Sequence, residues 1–95
     1  MSASEIDRFL KTDESKKVGQ VKPGETESIG RKSGKRIIKI LTKPKKDLTE
    51  DDYRHMKKVI SYISRHLAQG GPTKDKEHSA WRYSLKNWGC DPLKG

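Results

Sequence analysis

Apolar residues are scarce in this sequence: 29% of its 95 residues are hydrophobic, against 37% that are charged. A core built from so little must be thin and must use nearly every large side chain, with parts of the chain loosely packed around it. No apolar run approaches the roughly 20 residues that a membrane-crossing helix needs. Cysteine occurs once, at Cys90, so no disulfide can close within the chain. The opening Met1–Asp7 has neither the basic start nor the apolar stretch of a secretion signal. These absences together predict a reducing intracellular compartment, nuclear or cytoplasmic according to source. The length suits one domain and not two.

Acid is missing from one stretch altogether. Residues 1–30 hold five Lys/Arg and six Asp/Glu, and residues 47–73 hold four of each. Residues 74–95 hold five against three, whereas Arg31–Lys46 holds eight cations and no acid. Almost the whole net charge of +9 therefore sits in sixteen consecutive residues. A patch of one sign this dense favours a polyanionic partner.

The pattern predicts a mostly α domain of about four helices. Ser2-x-x-Glu5 has the form of a capping box before Ile6, Phe9 and Leu10, placing a first helix over Ala3–Thr12. Asp13–Gly30 contains three glycines and Pro23 and reads as a mobile loop, with a short hairpin at Lys22–Glu25 as the alternative. A second helix is expected from Ser33 as N-cap to Lys43, ahead of Pro44. Its apolar face is Ile37, Ile38, Ile40 and Leu41, and Lys32, Lys35, Arg36, Lys39 and Lys43 lie opposite. A third helix follows Thr49, with Glu50, Asp51 and Asp52 at its positive end, and stops at Gly70-Gly71-Pro72. Tyr53, Met56, Val59, Ile60, Ile63 and Leu67 form its apolar stripe, and Arg54, Lys57, Lys58, Ser61 and Arg65 form a second basic face. A fourth helix over Ser79–Trp88 spaces Trp81, Leu85 and Trp88 on one side, with Gly89 as C-cap. The expected core is Trp81, Trp88, Leu85, Ile60, Ile63, Met56, Ile37 and Leu41.

Thr49–Gln69 (TEDDYRHMKKVISYISRHLAQ), the segments ESIGRKSGKRIIKIL and RYSLKNWGCDPLK, and the opening DRFLKTDESKKVG together resemble one family. It is a domain-of-unknown-function family of small microbial and fungal proteins, often labelled "DNA-binding protein". The resemblance covers most of the chain in the same order and implies DNA binding. The family's usual WGHDP carries Cys90 in place of its histidine here, which argues against indispensable histidine chemistry at that position.

Motifs for catalysis are not found. Gly30–Arg36 approaches a phosphate-binding loop but is one residue short, has Arg where Ser or Thr belongs, and follows no buried strand. Ser33 and Gly34, placed at a helix start, are expected at most to contact one backbone phosphate. His55, His66, His78 and Cys90 lack zinc spacing, and no nucleophile–base or paired-carboxylate arrangement stands out. No enzyme activity, metal or cofactor is expected. Tyr83, between Arg82 and Lys86, could stack on an unpaired base or be a partly buried core residue. Lys43-Pro-Lys-Lys46 also has the form of a nuclear-import signal in a eukaryotic source.

The function expected from charge is nucleic-acid binding, DNA before RNA, with weak sequence preference. Phosphate contacts would come from Lys32, Lys35, Arg36, Lys39, Lys43, Arg54, Lys58 and Arg65. A helix-turn-helix is disfavoured by the long, Pro44-containing link between the second and third helices. The alternative is an interaction module whose basic face docks an acidic protein. No small-molecule substrate is expected, and a monomer is. Membrane-surface association is set aside because the apolar faces are needed for the core.

Overall fold

Helix starts in this chain are marked by hydroxyl side chains, and the structure, a computed structural model describing residues 1–19 and 21–94, uses five of them. Ser2 accepts a hydrogen bond from the Glu5 amide while the Glu5 carboxylate accepts from the Ser2 amide, starting α1 over Ala3–Leu10. Thr12 accepts from the Ser15 amide and starts α2 over Asp13–Lys17, with Asp13 and Glu14 in its first turn. This short helix corrects the expectation of a continuous loop over Asp13–Gly30. No strand forms among the described residues, so the hairpin alternative also falls; Lys22–Glu25 is a turn, closed by a bond from the Glu25 amide to the Lys22 carbonyl.

Helix α3 spans Ile29–Thr42 with Ser28, not Ser33, as N-cap. Gly30, which the expected start at Ser33 leaves outside the helix, and Gly34 are both poor helix formers. In the folded chain they sit inside the helix because the segment Asn87–Trp88 passes over them, with its backbone at Gly34 and its side chains at Gly30. A Cβ on Gly34 would lie 2.5 Å from the Asn87 carbonyl oxygen, and one on Gly30 would lie 3.1 Å from Trp88 Nε1. Close packing outweighs the poor helix propensity of glycine here. Ser33 and Gly34 are consequently buried in mid-helix and are no phosphate-facing N-terminus.

After a short 3₁₀ turn at Lys45–Asp47, α4 spans Glu50–Gln69. Its ends are those expected: a Thr49–Asp52 capping box and a left-handed C-cap at Gly70, φ +79°. A second 3₁₀ turn, Lys76–His78, leads to α5 over Ala80–Asn87, with Ser79 as N-cap. No helix is long and apolar enough to cross a membrane among the described residues.

The chain is thus mostly helical, as the sequence predicts. Helix α1 lies along α3, and α5 packs against α1, α2 and α3. The buried apolar residues are Ile6, Phe9, Leu10, Val18, Ile37, Ile40, Val59, Leu85 and Trp88. Of the core expected from the sequence, Ile37, Leu85 and Trp88 are buried and Trp81 and Ile63 half-buried, while Met56, Ile60 and Leu41 are exposed. Helix α4 accounts for most of the difference. Its packed face is Asp52, His55, Val59, Tyr62, Ile63 and His66, so of the expected stripe only Val59 and Ile63 turn inward. Tyr62 stacks on Trp88 at 4.0 Å between centroids and 14° between planes, and His55 lies parallel to the same indole at 6.5 Å. Large rings and a capped, ion-paired aspartate occupy the contact, and the rest of the aliphatic stripe is turned roughly 100° to one side.

Candidate nucleic-acid interface

Acids from outside the basic block meet much of its charge. Arg31 is structural: its guanidinium donates to the Leu10 carbonyl and to Ser15 Oγ, and lies 3.6 Å from Glu27. Lys32 pairs with Glu25, and Lys35 with Glu27 at 2.6 Å. Arg36 and Lys43 share Asp52 at 3.3 and 2.9 Å, which clamps the start of α4 onto α3. Arg54 pairs within its own helix with Glu50 and Asp51. Exposed pairs of this kind contribute little to stability and exchange readily for other anions. The lysines at 39, 45, 46, 57 and 58 make no ion pair among the described residues.

Three of the sequence-predicted cations converge. A cavity of about 270 Å³ opens between α3 and α4, lined by Lys32 and Arg36 from α3 and Lys58 from α4. Lys22 and Glu25 complete the charged lining, and Ile29, Ser33, His55 and Trp88 complete the rest. Four cations meet Glu25 in the lining and Asp52 behind Arg36, which leaves the cleft net positive. Ser33 Oγ and His55 Nε2 are hydrogen-bonded at 2.9 Å. Burial first, then the charges of Arg36 and Lys58, push the His55 pKa below its ordinary value, so its ring is neutral at pH 7. Lys22 and His55 escape sequence analysis: Lys22 lies in a loop of balanced charge, and His55 reads as one isolated histidine.

The remaining predicted residues extend from the cleft or lie elsewhere. At spacings of four and seven residues, Arg54, Lys58 and Arg65 share one flank of α4, about 16 Å long. Arg65 Nε reaches back to the Ser61 carbonyl at 3.4 Å. Lys35, Lys39 and Lys43 are exposed on α3 and its C-cap, outside the cleft lining. Tyr83 belongs to a separate groove, half-buried with its ring 6.2 Å from that of Phe9. Its neighbours are committed too: Arg82 makes a two-pronged pair with Asp91 at 3.0 and 2.9 Å, and Lys86 Nζ sits 4.4 Å over the Phe9 ring.

Asp52 ties this interface to stability. Hydrogen bonds from the Thr49 backbone and then from Lys43 hold its pKa at about 2, below its ordinary 3.8. A depressed carboxylate stabilises the fold above its unfolded pKa and loses that contribution as pH falls through the folded one. Stability is therefore expected to drop between about pH 4 and pH 2. The Asp52→Asn variant should be less stable at neutral pH and show a shallower acid dependence; parallel pH–stability curves for the two proteins would contradict this. No group of three or more His, Cys, Asp or Glu side chains is placed to hold a metal ion among the described residues. The Cys90 thiol is half-buried and its pKa raised by burial, which disfavours the reactive thiolate.

No curated protein and no solved structure matches the chain. A family profile does, over residues 1–86, which takes in all of α1 to α4 and most of α5. On that match, the chain belongs to the family described as "Protein of unknown function (DUF3140)".

Proposed function

We propose that the protein is a non-enzymatic nucleic-acid binder that seats backbone phosphates in the α3–α4 cleft and along the cationic flank of α4. The observation that carries this is the convergence of Lys32, Arg36 and Lys58, from two helices, on one cavity. A phosphate entering there displaces condensed counterions from the nucleic acid and competes with Glu25 for Lys32. Duplex DNA is favoured over an unpaired strand, because Trp88 at the base of the cleft is 4% exposed and offers no stacking platform. Contacts of this kind position a backbone without reading bases, so sequence preference is weak.

Fluorescence anisotropy with a labelled random-sequence duplex tests the proposal. Saturable binding is expected at about 50 mM salt, weakening to micromolar or worse at physiological salt. Lys32→Glu with Lys58→Glu should weaken binding at least about tenfold and flatten the log–log salt slope by about two. Both residues are exposed, so the double variant should keep its helical circular dichroism. Absence of saturable binding by the folded wild type at low salt overturns the proposal, as does a double variant that binds like the parent. Binding of an acidic protein but of no nucleic acid would assign the cleft to a protein partner instead.

A further inference from the structure

Of the titratable side chains that line the α3–α4 cleft, only His55 is of a type that changes charge near neutral pH. Its ring is held on two sides. Nε2 is hydrogen-bonded to Ser33 Oγ at 2.9 Å, and Ser33 is buried in mid-α3 at 3% exposure. The ring plane lies 9° from that of the buried Trp88 indole. Nδ1 makes no hydrogen bond to a described residue and is not sealed from solvent. The charged groups around the ring are Lys32 and Arg36 from α3, Asp52 and Lys58 from α4, and Lys22 and Glu25 from the loop before α3. Helix α5 presents only the neutral Trp88, its C-cap. In the free protein burial, and then the charges of Arg36 and Lys58, oppose a positive ring.

We propose that His55 takes up a proton when the cleft takes a nucleic-acid phosphate, so that binding strengthens as the pH falls below neutral; this rests on the cleft seating phosphates at all. A phosphodiester brings a full negative charge among the cations that kept the ring neutral, and the local balance turns in favour of imidazolium. Both ring nitrogens then donate, Nε2–H to Ser33 and Nδ1–H to the anion. A hydroxyl both donates and accepts, so Ser33 serves either form and the ring changes charge without moving. The sign follows from linkage. A group that binds its proton more tightly in the complex than in the free protein makes the complex tighter as protons become available. The gain grows as pH falls through the His55 pKa of the complex and is complete below that of the free protein. Lysine, arginine and phosphodiesters do not titrate in this range, and Glu25, lowered by its bond to Lys32, stays ionised. His66 and His78 lie outside the cleft lining.

Two measurements on the full chain test this, using a random-sequence duplex without terminal phosphates at about 50 mM salt. Calorimetric titration near the ordinary histidine pKa of about 6.5, in MES and in imidazole, counts protons, because the two buffers differ in heat of ionisation. Nuclear magnetic resonance follows the His55 ring against pH with and without duplex. The wild type should take up a fraction of a proton per duplex bound, and the duplex should raise the His55 midpoint. Affinity should be about three- to tenfold higher at about pH 5.5 than at about pH 7.5. His55→Gln keeps an amide able to bond to Ser33; it should still bind duplex, without the proton uptake and with little pH dependence. Should that variant not fold, the resonance titration of the wild type decides by itself. A duplex that leaves the His55 midpoint where it was overturns the proposal, as does a folded His55→Gln variant with the parent's proton uptake. Neither result touches phosphate binding by the cleft. A folded wild type that binds no duplex at either pH overturns that reading and this proposal together.

Discussion

Trp88→Ala is expected to cost about 3–5 kcal/mol, a large part of the whole stability of a domain this size. Trp88 is buried at 4% exposure, and its indole is shared by three helices. Tyr62 of α4 stacks on one side, Gly30 of α3 admits Nε1 at close range, and the residue itself caps α5. Truncation removes the surface against which α4 packs, leaving a cavity that rigid helices cannot close. Trp81 shares the apolar side of the α5 sequence but not this position. It is half-buried, rests on Gly71 and donates Nε1–H to the His66 carbonyl at 2.7 Å. Trp81→Ala should therefore cost less, about 1–2 kcal/mol. Urea unfolding followed by far-ultraviolet circular dichroism measures both. Equal losses would show that the two tryptophans share the core evenly, contrary to this structure.

Asn87→Leu should cost about 2–4 kcal/mol despite keeping the branched shape and adding apolar surface. Asn87 and Ser15 are both essentially inaccessible, at 1% and 0% exposure. Asn87 Nδ2 donates to the Ser15 carbonyl at 3.1 Å, and Oδ1 accepts from the Ser15 hydroxyl. The same hydroxyl oxygen accepts from Arg31 at 2.8 Å, and Arg31 also reaches the Leu10 carbonyl. One network thus joins α1, α2, α3 and the end of α5. Leucine at 87 would strand the Ser15 carbonyl and leave its hydroxyl proton without an acceptor, with no water able to enter. Helix α2 is five residues long, too short to persist alone, and depends on this tie. Hydrogen exchange in Asn87→Leu should accelerate selectively over Thr12–Val18 while α4 keeps its protection. Unchanged exchange there would mean that α2 is held by something else. Ser15→Ala should show a smaller loss, and the double variant less than the sum, because both break the same bonds.

Local chemistry determined much of this fold before any packing was known. The ends of α4 were legible because a capping box and a left-handed glycine act within one helical turn, at Thr49–Asp52 and at Gly70. Ser2 and Ser79 marked α1 and α5 for the same reason. The cue for α2 was equally local, Thr12 ahead of Asp13, Glu14 and Ser15, but five residues show no apolar periodicity to draw attention to it. The seclusion of positive charge in Arg31–Lys46 was legible by counting.

Tertiary structure decided what local signals could not. The start of α3 at Ser28 and not at Ser33 follows from packing: the backbone of Asn87 and the indole of Trp88 lie across Gly34 and Gly30, where no larger side chain fits. The periodicity of α4 reveals an amphipathic helix but not its rotation. Stacking on Trp88 and the clamp of Arg36 and Lys43 on Asp52 turned the aromatic and acidic face inward, leaving most of the aliphatic stripe outside. The charge block, uniform in sequence, is divided in space by Glu25, Glu27 and Asp52 into a structural arginine, paired cations of which Lys32 and Arg36 reach the cleft, and lysines at 39, 45 and 46 that pair with no acid among the described residues. Each of these outcomes depends on groups far apart along the chain or on contacts between elements, and composition and periodicity record neither.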